Sequence, residues 1–334
     1  MTRYIKREIG VSCTINTEVG AVLAALRSSH DVSNPEDSYC QDVSIQQSLK
    51  SLRSLIFNPQ QEWRYVDPNI YLSPFLDITQ ADDIPAAATG VALSSLLKLL
   101  RLEIFDDKTP GAKEAMNALV TATTNCRLER TDPATEEAVL MKILQLLAGI
   151  MTHPASCLLR DEAVCTVINT CFQVVQQSVT RGNLLQRAAK YTMHEITQMV
   201  FSRLNDIEIR SGENSESESE DLDDDDEDVD SGFGLRCVVD IFHFLCSLLN
   251  VVQTVETEGV VTQTNDEDIQ WFALALINTA LELSGDGFAN HPKLLRMIRD
   301  DLFHHLIHYG TRSSAPVLSM ICSTVLNVYH FLRE

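Results

Sequence analysis

The chain has 334 residues, with 26 Lys and Arg against 47 Asp and Glu, which gives a formal charge of −21 and an isoelectric point near 4.7. That balance excludes a phosphate-neutralising nucleic-acid clamp, which needs clustered basic residues, while a 45% hydrophobic share suffices for one extended core or two compact ones in a soluble, folded protein. Twelve of the acids lie between Glu213 and Asp230, and removing them leaves only −9, so the acidity is local.

Met1–Gly10 is polar and charged, without the apolar run of roughly 7–15 residues that a secretory signal requires, which argues against export. Nine cysteines (13, 40, 126, 157, 165, 171, 237, 246 and 322) are scattered with no C-x-x-C pair. An odd, dispersed count reads as reduced thiols in a cytosolic protein.

From there on, apolar residues recur at three and four positions, and strict alternation over a strand length is hard to find. The expected fold is all-α. The pattern predicts about twelve helices, with onsets near 13, 43, 68, 85, 110, 133, 161, 182, 234, 267, 292 and 315. Asp67-Pro68, Thr109-Pro110, His153-Pro154 and His291-Pro292 stand at or just before new apolar runs, as helix boundaries should. The clearest helix runs from Asp132 to Met151. Asp132 can cap its amides, Pro133 suits its first position, and Glu136 and Glu137 favour the positive end of its dipole. Val139, Leu140, Ile143, Leu144, Leu146, Leu147, Ile150 and Met151 form its apolar stripe, with Lys142 and Gln145 expected to face away.

Paired, these helices approach the roughly 40–47 residues of HEAT and armadillo hairpins, so the architecture predicted is an armadillo/HEAT-like α-solenoid. Ser211–Gly234 is Ser, Glu, Asp and Gly with almost no apolar content, and is expected to be a disordered linker. It divides the chain into helical blocks at 1–208 and 235–334, with the linker at 209–234. Ser215 and Ser217 each have Glu three residues on, and Ser219 is flanked by acids, which suits an acid-directed kinase. The competing reading is a plain solvated spacer. Val238–Val252 comes nearest to a membrane span, yet Asp240, His243 and Asn250 interrupt it.

Chemistry-bearing constellations are sparse. Asp300, His304 and His308 are spaced four apart on one helical face, with Asp301 and His305 one step round, a pattern that could share a zinc ion. A zincin needs Glu directly after the first His, where this chain has His305, and ordinary surface polarity is the competing reading. There is no nucleophile elbow and no phosphate-binding loop, and Gly232-Phe233-Gly234 does not continue into a dinucleotide fingerprint, so no cofactor is expected. Cys165 and Cys171 sit in an apolar helix, where a desolvated thiol is inert. Trp63, Tyr65, Tyr71, Leu72, Pro74, Phe75 and Leu76 gather early, and Trp271, Phe272, Phe303 and Phe331 late; most are expected in the core. The last helix, Val317–Leu332, stays apolar to its end, as though further chain or a partner should cover it.

Thr131–Gln145 (TDPATEEAVLMKILQ) closely resembles a signature segment of the large ARF guanine-nucleotide-exchange factors. So do Tyr71–Leu76, Val91–Ser95, Val164–Phe172 and Ile241–Asn250, and the wording is nearest to the GNOM and GNOM-like type of plants. The resemblance implies a DCB (dimerisation and cyclophilin-binding) domain over 1–208, followed by the opening helices of a HUS domain. It further implies a homodimer, contacts with downstream HUS and catalytic parts, with cyclophilin and with ARF-family GTPases, and recruitment from the cytosol to Golgi or endosomal membranes. The family's exchange domain and its Asn-Tyr-Asp-Cys box have no counterpart here, so no catalytic residue carries over and this chain is expected to be a regulatory front end. Direct lipid binding would need a basic patch that such charge does not offer, so membrane contact is expected to be indirect. Two other readings stay open at this stage, a stand-alone armadillo-type adaptor or transport receptor and a metal enzyme built on His304 and His308.

Overall fold

In the computed structural model, which describes residues 2–30, 39–56, 62–82, 84–126, 132–178, 183–204, 207, 232–257, 260–310 and 313–332, most helices begin where the punctuation places them. The chain divides into two compact units, Met1–Thr192 and Met193–Glu334. The first holds α1 (Thr2–His30), α2 (Tyr39–Ile56), α3 (Pro68–Gln80), α4 (Ala86–Arg101), α5 (Ala112–Thr124), α6 (Pro133–Thr152), α7 (Asp161–Gln177) and the opening turns of α8 (Asn183–Ser202). Here α1 packs on α2 and α4, α3 on α4 and α5, α4 on α6, and α5 on α6 and α7. This stacking of near neighbours is that of an α-solenoid.

Local signals explain the order. Asp132 accepts the Thr135 amide at 3.0 Å, Pro133 occupies the first turn of α6, and all eight stripe residues from Val139 to Met151 are buried. Lys142 departs from expectation. It is half-buried, and its Nζ donates to the Gly90 carbonyl on α4 at 2.9 Å, because the residue opposite has no side chain to fill the space. Asp67 caps α3 through the Asn69 amide at 2.9 Å, and Asn69 Nδ2 donates on to the Gly111 carbonyl ahead of α5 at 3.1 Å. Gly111 has φ +79°, and a Cβ there would overlap the Asp67 carboxylate, so only glycine lets the two helix starts meet.

The second unit holds the end of α8, α9 (Leu235–Ser247), α10 (Glu267–Ser284), α11 (Asp286–Ala289), α12 (Pro292–Met297), α13 (Phe303–Gly310) and α14 (Ala315–Leu332). Phe201, Phe242 and Phe288 are fully buried at its centre. An antiparallel hairpin, β1 (Val252–Thr257) with β2 (Val260–Asn265), interrupts the helices and was not anticipated. Eight of its twelve residues are Val or Thr, whose branched Cβ favours extended backbone even without clean alternation. Val238–Val252 is likewise no single run: α9 ends at Ser247, a 3-10 turn covers Leu248–Asn250, and the strand follows. Among the described residues, the helix whose length and composition would span a membrane is instead Glu8–Arg27 within α1, and its Ile15, Val19, Val22 and Leu26 are already buried in the first unit.

Two further expectations shift. Helix α1 starts at Thr2 rather than near residue 13, and the expected linker stops short of 234, since Phe233 is buried with the Arg203 guanidinium 5.8 Å from its ring centroid. Ser215, Ser217 and Ser219, and most of 209–234, lie outside the described residues.

His153, which follows α6, gives a pH-dependent prediction. Its Nδ1 accepts the Ala155 amide at 3.2 Å, leaving the proton on Nε2, which is buried with no hydrogen-bond partner among the described residues, while the ring packs on Phe105. Burial holds the imidazole below its ordinary 6.5, against the pull of Glu103 and Asp106. The folded state therefore binds fewer protons than the unfolded chain, so this contribution to stability is complete above about 6.5 and declines as pH falls below it. The urea midpoint should drop between pH 7.5 and 5.5, and His153→Asn, which keeps the capping acceptor but cannot titrate, should flatten that drop.

Candidate interaction surface

The residues with metal-ligating chemistry do not converge. Asp300 lies in a π-helical turn, Ile298–Leu302, that joins α12 to α13 and breaks the four-residue register on which its alignment with His304 depended. Its carboxylate takes a 2.8 Å hydrogen bond from Arg299 Nε, which holds it below the usual carboxylate range. His304 and His308 are brought together, with rings parallel within 4° and centroids 6.3 Å apart. His305 turns aside, its Nε2 3.2 Å from Asn250 Nδ2, and burial followed by the neighbouring His304 pushes its pKa down. Among the described residues, no group of three His, Cys, Asp or Glu is placed to hold a metal ion. Burial pushes the thiols of Cys171 and Cys246 up to about 12 and Cys126 up to about 11. Cys165 is half-buried rather than fully enclosed.

The aromatic clusters are mostly core, as expected. Trp63, Tyr71, Leu72, Pro74, Phe75 and Leu76 are buried, with the Trp63 and Tyr71 rings edge to face at 5.9 Å. The Trp63 indole donates to Ser12 Oγ at 2.8 Å and its amide to Glu8 Oε2 at 3.0 Å, which ties this 3-10 turn to α1. Tyr65, two residues on, stands 75% exposed, and Ile9 is exposed beside Glu8. Two open grooves mark the same unit. One of about 840 Å³ between α2 and α3 is lined by Ser44, Ser48, Ser51, Ile70 and Ser73; another of about 380 Å³ between α4 and α6 is lined by Gly90, Ala134, Ala138 and Lys142. In the second unit Phe272 is buried and Trp271 exposed, Phe303 is half-buried, and the side chain of Phe331 lies outside the described residues.

Among the described residues, α14 carries four of the twelve exposed large hydrophobic side chains. Val317, Ile321, Thr324 and Val328 point inward and are buried. Leu318, Cys322, Val325, Leu326 and Tyr329 point outward and are exposed. The inward side is fixed by polar contacts with α10: Asn327 Nδ2 donates to Asn278 Oδ1 at 3.2 Å and to Glu282 Oε1 at 3.0 Å, and Asn278 Nδ2 meets Met320 Sδ at 3.2 Å. The sequence signalled this face through the unbroken apolarity of the last helix. The Asn–Glu contacts it could not signal, since the partners lie 45 and 49 residues apart.

Residues 24–207 match the Mon2/Sec7/BIG1-like dimerisation and cyclophilin-binding domain, and residues 234–334 the Mon2/Sec7/BIG1-like HUS domain. The chain is 62% identical over 336 residues to the ARF guanine-nucleotide exchange factor GNL2 of Arabidopsis thaliana, covering 99% of this chain and 24% of that protein. It is 39% identical over 388 residues to the Arabidopsis ARF guanine-nucleotide exchange factor GNOM, covering 97% of this chain and 26% of that protein. It is also 31% identical over 154 residues to ARF guanine-nucleotide exchange factor 2 of Saccharomyces cerevisiae, covering 46% and 10%. The chain thus spans about a quarter of the length of the two plant relatives.

Proposed function

We propose, from the premise that this chain belongs to the Mon2/Sec7/BIG1-like family of DCB- and HUS-domain proteins, that it is the regulatory and dimerising region of an ARF guanine-nucleotide exchange factor and does not itself catalyse exchange. The observation that carries this reading is the ordered pair of family matches, DCB then HUS, along one helical chain. The domain division we assign is DCB over 1–208, a spacer over 209–234 and the opening of HUS over 235–334. The compact-unit boundary falls earlier, inside α8, because Phe201 of that helix packs with Phe242 and Phe288.

In this function the first unit binds a second copy of itself. The exposed Ile9, Tyr65 and Ile70 and the two grooves are the surfaces available for that contact and for cyclophilin. Contacts with downstream HUS and catalytic parts set where and when an ARF GTPase is engaged, in vesicle transport at Golgi or endosomal membranes. The net charge of −21 favours recruitment from the cytosol through proteins rather than through anionic lipid.

Two measurements test the reading. Light scattering should give twice the 37.3 kDa chain mass, and a monomer at micromolar concentration would overturn the dimerising role. Added to a GDP-loaded ARF GTPase, the chain should leave the nucleotide release rate unchanged. Clear acceleration would place exchange chemistry in these helices and refute the non-catalytic assignment.

A further inference from the structure

We infer that the outward face of α14, formed by Leu318, Cys322, Val325 and Tyr329, is the seat of a further amphipathic helix of the same polypeptide in the longer proteins of this family. Those four residues are spaced four, three and four apart, the seam along which one helix packs against another. Ala315–Leu332 contains no Asp, Glu, Lys or Arg, and a helix apolar on opposite sides belongs between two neighbours rather than on a surface. Helix α10 has that character already: Ile269, Phe272, Leu276, Ile277 and Leu281 are buried around its circumference, with α9 and α14 packed on it.

Rotation cannot hide the outward face of α14, because turning it inward would break the Asn327 bonds to Asn278 and Glu282. What covers it must therefore come from elsewhere. The inference rests on the reading of this chain as part of a longer exchange factor, and the relatives supply the candidate. About three quarters of GNL2 lies outside the matched region, ample for a covering helix. A seam bordered by Ser319, Ser323 and His330 suits a helix with apolar residues at the same spacing and small polar residues beside them.

Cys322 sits exposed in the middle of the seam and reports its covering directly; Cys13, exposed on α1, is the internal reference. The experiment compares the 334-residue chain with the same chain extended in frame by the stretch that follows the matched region in GNL2. Both are pulsed with N-ethylmaleimide and labelling is read peptide by peptide. The expected result is Cys322 labelling slowed at least about tenfold in the extended chain with Cys13 unchanged. Equal labelling of Cys322 in a folded extended chain, verified by circular dichroism, overturns the inference. So does a Cys322–Cys322 disulfide, or concentration-dependent protection, in the 334-residue chain, since a second copy would then be the occupant. In a second arm, Val325→Asp in the extended chain should restore labelling, while in the shorter chain the same exposed substitution leaves the melting temperature unchanged. Light scattering tests dimerisation separately, so a monomeric chain with a protected Cys322 would fail the functional proposal and keep this one.

Discussion

Phe242→Ala destabilises the Met193–Glu334 unit by about 3–5 kcal/mol in urea titration, among the largest effects of any single truncation in the molecule. The ring is fully buried, edge to face with Phe288 at 4.8 Å and 6.4 Å from Phe201, which in turn stacks on Phe288 at 6.3 Å. Truncation removes apolar burial, leaves a cavity, and forfeits edge-to-face contacts worth about 0.5–1.5 kcal/mol beyond the area term. The three rings come from α8, α9 and α11, so their loss loosens segments far apart in sequence together. Hydrogen exchange resolved by peptide should show the loss in residues 193–334, with protection of α3–α6 unchanged. A cost below about 1.5 kcal/mol would mean the cluster collapses to fill the space, and would refute its role as the keystone of that unit.

Those rings mark the line between what the sequence could and could not tell. Phe242 lies in the apolar stretch Val238–Val252, which marks it as a residue to bury. Its meeting with Phe201 and Phe288 has no such mark, because nothing local encodes a partner some 40 residues away. Helix starts were legible where a capping carboxylate precedes proline, as at Asp67 and Asp132, since capping acts within two or three residues. The start of α1 was missed because Arg3, Lys6, Arg7 and Glu8 read as a polar leader. Such long straight side chains are good helix formers, and with no Pro to stop it the helix extends back through Gly10 to Thr2. Asp300 was placed beside His304 on the assumption of a regular four-residue turn, and the π turn at Ile298–Leu302 broke that assumption. Interaction surfaces were the least legible. The outward seam of α14 shows as apolar pattern, but a pattern cannot say which of two apolar faces finds its partner first.

The second large effect comes from a contact of this non-local kind, and its size differs between the partners. Glu18 of α1 is buried; it accepts from Ser95 Oγ and from Lys98 Nζ of α4, both at 2.8 Å. Lys98→Met should cost the Met1–Thr192 unit about 2–3 kcal/mol, because it leaves a desolvated carboxylate with a single donor. That is less than the roughly 3–5 kcal/mol of a fully buried pair, since the Lys98 side chain is 57% exposed and partly screened. Glu18→Leu should cost less, about 1 kcal/mol. The exposed ammonium regains water, and the Ser95 hydroxyl can turn back to a carbonyl of its own helix. The double variant should lie near Glu18→Leu alone, since with the acid gone the lysine has nothing left to neutralise. Urea midpoints for the three variants decide the matter. If Glu18→Leu proves the more damaging single change, the α1–α4 contact is held by the acid's hydrogen bonds to the neighbouring helix rather than by the need to neutralise its charge.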